Sequence, residues 1–90
     1  MKNCIFKQSK DIIFRQEENE AILFNPESSD IVVINSTGCY IWGFLNGNHT
    51  KEDILEKIQE KFVVTKGPAE KDLDKFISDL KTLNFIASVK

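Results

Sequence analysis

Ninety residues, 41% apolar and 29% charged, suit one small folded domain with a modest core and exclude a disordered chain. A net charge of −2 and a pI near 5.3 weigh against nucleic-acid binding, which draws on a surplus of Lys and Arg. No apolar run reaches membrane-spanning length and the opening MKNCIFKQSK lacks the apolar core of a secretion signal, so a cytoplasmic location without a membrane partner is expected.

Residues 1–10 alternate in charge and read as a tail or irregular lead-in, with Ile5 and Phe6 able to dock. Residues 11–17, DIIFRQE, are strand formers that meet a turn-forming cluster at Glu18-Asn19-Glu20. The second strand is AILF at 21–24. Turn formers fill 25–30, where Pro26 ends the ladder. The β-branched run Ile31-Val32-Val33-Ile34 is the third strand, read as buried, and short connections make the three an antiparallel meander.

The remainder reads as helical. A first helix is capped by Asn35 or Ser36 and carries Gly38, Ile41, Trp42 and Leu45 at one-face spacing. Asn46-Gly47-Asn48 is its expected stop, with Gly47 free to turn left-handed. Thr50 followed by Asp53 approximates a capping box for a second helix, whose inward stripe is Ile54, Leu55, Ile58 and Phe62. Pro68 suits the first turn of a third helix running to about Leu83, with Leu73, Phe76, Ile77, Leu80 and Leu83 on one face. Asn84 is the expected stop, after which Phe85-Ile86 folds back onto the core.

Chemistry-bearing residues are sparse. Cys4 and Cys39 are far apart without CxxC spacing and His49 is the single histidine, too few for a usual zinc site, so no metal and no cofactor is expected. Cys39 lies in an apolar helical turn, which suits an inert thiol, and Cys4 reads as loosely held; a disulfide between them stays an open alternative. Gly38, Gly43, Gly47 and Gly67 match no phosphate-binding fingerprint. With neither nucleophile–base pair nor paired carboxylates in evidence, the chain is expected not to be an enzyme; Cys39 with His49 is the one pair worth testing. Trp42 reads as a core anchor.

The informative feature is the third strand. It is an edge of the meander, and IVVI carries none of the Lys, Pro or bulge devices that blunt an edge. Either a helix covers it, or an extended peptide adds to it through backbone hydrogen bonds, or it pairs with itself in a weak homodimer.

Arg15, the hairpin AILFNPESSDIVVIN, Asn35-Ser36-Thr37-Gly38 and Ile41-Trp42 resemble the coenzyme PQQ synthesis protein D family. Leu45, Gly47, Thr50 and Ile54 fall on its L-x-G-x-x-T-x-x-x-I continuation, and FISDLKTLNFI resembles its closing helix, with Asn84 where a glycine is usual. The resemblance covers about residues 11–87 of a single domain, 1–90. It implies an α+β, winged helix-turn-helix-like fold, a three-stranded antiparallel N-terminal sheet followed by three helices. It implies a free-standing, non-catalytic peptide chaperone that binds the leader of a ribosomally synthesised precursor by strand addition. The holder then presents that leader to a modifying enzyme such as a protease, cyclase or radical enzyme. The implied groove has Asp30, Ile31, Val32, Val33 and Ile34 on one side and Asp72, Leu73, Lys75, Phe76, Asp79 and Leu80 on the other. The alternative is a winged-helix DNA-binding regulator, which residues 69–83 disfavour with four acidic residues against three lysines.

Overall fold

The meander forms as the turn residues dictate. In the computed structural model, which describes residues 5–89, strands β2 (Ile13–Gln16), β3 (Glu20–Asn25) and β4 (Asp30–Asn35) make an antiparallel sheet in the order β2-β3-β4. Ala21, Leu23 and Ile34 turn one way into the core, whereas Ile31 and Val33 are 64% and 59% exposed on the opposite face. The expectation of a buried β4 is therefore half right. Side chains alternate along a strand, and only the Val32 and Ile34 face is packed against the core.

Asn35 caps helix α1 (Ser36–Trp42), its Oδ1 accepting from the Gly38 N–H at 2.9 Å. The helix ends at Trp42, before the Asn46 stop expected for it. Leu45 is fully buried but lies beyond α1. Residues 46–50 are instead strand β5 (Asn46–Thr50), which pairs with β1 (Ile5–Gln8), and β1 pairs in turn with β6 (Ile86–Ser88). This second sheet corrects the reading of residues 5–8 as an irregular lead-in and of everything after the meander as helical. Opposite Ile5 and Lys7 lie Thr50 and Asn46, so β5 carries extra residues, and Gly47 takes the left-handed conformation there, at φ +85°. The readings of Cys4 lie outside the described residues.

Helices α2 (Lys51–Phe62) and α3 (Lys66–Thr82) complete the fold. The capping box at Thr50 and Asp53 is formed in both directions, at 3.1 and 3.2 Å. At the end of α3, Asn84 sits at φ +63°; its N–H donates to the Lys81 carbonyl and that of Phe85 to the Leu80 carbonyl. That paired motif buries Phe85 completely and Ile86 almost so. Asn25, expected only as a turn former, is buried, and its Nδ2 donates to the Asn84 carbonyl at 3.3 Å. It ties the β3–β4 turn to the end of α3.

The end of α2 departs from preference. Val63 takes the left-handed conformation at φ +50° while 88% exposed, a strained state for a β-branched residue. Val63→Gly should therefore raise stability by about 1 kcal/mol. A urea midpoint that falls or stays put would show that the left-handed cap is not strained.

Candidate functional site

Two features meet at the end of β4. The first is its backbone. β4 pairs only with β3 among the described residues. Since N–H and C=O groups alternate in direction along an antiparallel strand, every second residue of β4 turns its pair away from β3, unbonded by any further strand. The second is an apolar cavity of about 440 Å³. Its walls are Asn35, Thr37, Gly38 and Ile41 from the β4–α1 junction, Pro68, Ala69, Asp72, Leu73 and Phe76 from α3, and Ile58, Phe62 and Val64 from α2 and the segment after it.

Gly38 sets how closely these walls approach. A Cβ on it would stand 2.9 Å from Ile34 Cβ and 3.2 Å from Phe76 Cε1, so only a bare backbone lets α1 nest between β4 and the α3 aromatic. Asp72 is the one ionisable side chain among the cavity-lining residues. The cavity thus offers apolar walls and one carboxylate.

Of the residues read from the sequence as a groove, Asp72, Leu73 and Phe76 line this cavity. Leu80 is a core residue at 1% exposure. Lys75 and Asp79 are bonded to each other at 3.2 Å on the exposed side of α3. Asp30, Ile31, Val32, Val33 and Ile34 do not line it; they form the strand whose open edge leads to Asn35 at its wall. The α1 and α2 contributions were missed. Ile41, Ile58 and Phe62 carried an apolar-face signal, but nothing local distinguishes a cavity wall from a core face.

A charged clamp holds α2 and α3 together. Lys51 Nζ binds the Asp74 carboxylate and stands 3.7 Å from that of Glu70. The hydrogen bond to Asp74 is the main reason its ammonium is held above the ordinary lysine range.

The thiol pair is not assembled as a catalytic dyad. Cys39 is a half-buried free thiol whose pKa is pushed up, first by burial, the opposite of activation. His49 Nδ1 is engaged with Asn46 Oδ1 at 3.1 Å and its ring packs on Phe44. Among the described residues no group of His, Cys, Asp and Glu could hold a metal ion, and no helix is long and apolar enough to cross a membrane.

Residues 20–86 match the family described as coenzyme PQQ synthesis protein D (PqqD). No curated protein sequence matches significantly. Among solved structures, TbiB1 in complex with the TbiA(beta) leader peptide superimposes with a TM-score of 0.79 at 21% identity, covering 89% of this chain and 93% of that one. Lasso peptide synthetase B1 complexed with the leader peptide gives 0.79 at 21% identity, covering 91% and 96%. The heterocyclase TruD gives 0.67 at 22% identity, with 96% of this chain matched to 12% of that longer chain.

Proposed function

The chain belongs to the coenzyme PQQ synthesis protein D (PqqD) family, and from that premise we propose that it binds the leader segment of a ribosomally synthesised precursor peptide. It does so without catalysis, and presents the leader to a modifying enzyme. The observation that carries this reading is the open edge of β4 running into the α1–α3 cavity. An extended peptide added to β4 satisfies the outward backbone groups, and an apolar side chain of that peptide can enter the cavity between Gly38, Phe76 and Leu73. The solved structures of the same fold that hold leader peptides support it. On this reading β4 and α3 form the groove, with Asp30, Ile31, Val32, Val33 and Ile34 supplying the edge and Asp72, Leu73 and Phe76 the wall, while Lys75 and Asp79 stay on the exposed side of α3 and Leu80 in the core. The helices and the β2–β4 meander correspond to a winged helix-turn-helix-like arrangement.

DNA binding has no such support. Over its full length α3 carries Glu70, Asp72, Asp74 and Asp79 against Lys66, Lys71, Lys75 and Lys81, and two of those lysine–carboxylate charges are already paired within Lys75–Asp79.

The test is titration with synthetic leader peptides of candidate ribosomal precursors, followed by amide exchange. Binding should saturate at about micromolar concentrations or below. Alternate amides of β4, unprotected in the free protein, should become protected, and resonance shifts should gather at 30–34 and 70–80. Protection confined to α2, or β4 amides that exchange equally fast with and without peptide, would sink strand addition.

A further inference from the structure

The outer face of the meander has a composition that leader binding does not use. Register aligns Ile13, Phe24 and Ile31 in one cross-strand row and Arg15, Ile22 and Val33 in the next. Ile13, Ile31 and Val33 are each more than half exposed, and Ile22 and Phe24 in the central strand are half-buried. Five apolar side chains therefore form one surface, rotated away from the core by strand alternation. An exposed apolar surface of neighbouring side chains commonly marks an interaction site.

We infer that this face docks a second protein, the modifying enzyme, whose contact surface is apolar at its centre and basic at its rim. The inference rests on the leader-binding reading for the identity of that partner. Charge selects it over a second copy of this chain. Glu18 and Glu20 lie at the β2–β3 turn, and Glu27 and Asp11 at the opposite end beside Lys10. Arg15, the one cation inside the patch, is already paired with Glu17 at 3.2 Å. Two copies face to face would set acidic rims against each other with little to offset them, whereas Lys or Arg on a partner would meet carboxylates at both ends. Position supports the assignment as well. Ile31 and Val33 belong to the strand whose backbone edge would hold the leader, so an enzyme seated on this face lies next to the bound peptide.

The experiment compares the wild type with Ile13→Ser/Ile22→Thr, which substitutes no residue of β4 or of the cavity wall, and with Glu18→Lys in the exposed turn. The probes are a purified modifying enzyme that acts on the leader's precursor, the leader peptide alone, and sedimentation of the chain by itself. The double variant should bind the enzyme about tenfold or more weakly with leader affinity unchanged, and Glu18→Lys should weaken enzyme binding in a salt-sensitive way. Wild type and double variant binding the enzyme equally well, or not at all, would overturn the inference. So would a wild-type dimer that the double variant dissociates, which would give the face to a second copy. A wild type that binds the enzyme through this face yet ignores the leader would overturn the leader-binding reading and leave the docking face standing.

Discussion

Phe85→Ala should cost roughly 3–5 kcal/mol of stability, about a quarter or more of the ~5–13 kcal/mol that a domain of this length holds. Phe85 is fully buried although it lies just past α3, because the left-handed Asn84 reverses the chain and the Phe85 N–H donates back to the Leu80 carbonyl, which turns the ring into the core. Its removal leaves a ring-sized cavity at the point where β6 begins, so the β1–β6 pairing should loosen together with the core. The effect is read from the urea midpoint with the slope unchanged. A loss below about 1 kcal/mol would mean that the site collapses around the smaller side chain and that Phe85 does not anchor the α3–β6 reversal.

Gly38→Ala is the second large effect, and its sign is the informative part. In an exposed helix this change stabilises by about 1 kcal/mol through backbone entropy. At Gly38 the new methyl would meet Ile34 Cβ at 2.9 Å. That atom is fixed to the backbone of β4 and cannot swing aside. Phe76 Cε1, at 3.2 Å, belongs to a ring that can move, and its displacement alters the cavity it lines. Overpacking of this kind costs typically 1–3 kcal/mol, which outweighs the propensity gain. Net destabilisation of up to about 2 kcal/mol is therefore expected, with leader affinity lowered about tenfold because both the strand edge and the cavity wall are disturbed. A stabilised Gly38→Ala that binds leader normally would show that α1 and β4 are not in close approach, and the geometry assigned to the groove would go with it.

The elements legible in the sequence are those whose signals are local. Turn formers at 18–20 and 25–30 bracket the β3 hairpin, Asn35 and Thr50 cap α1 and α2 with their own side chains, and Asn84 stops α3. Each rests on contacts a few residues apart, so residue type and spacing suffice to read them. The resemblance to the PqqD family was legible for the same reason, being carried by ordered short motifs, and it supplied the leader-binding reading that spacing alone left as one of several alternatives.

The second sheet was illegible because none of its strands is specified locally. IFKQ, NGNHT and IAS have no common period, and they become strands by pairing Ile5 with Thr50 and Phe6 with Ser88, partners far apart in the chain. The candidate site divides along the same line. The sequence by itself determined that β4 would be an edge strand without Lys, Pro or a bulge to blunt it, and left open whether a helix or a partner covers it. Which half of β4 faces the core, why position 38 must be glycine, and that the cavity needs α1 and α2 as well as α3 were decided only by the tertiary structure. Strand alternation leaves the choice of face open until something packs against one side, and a close approach exists only once two elements distant in the chain have met.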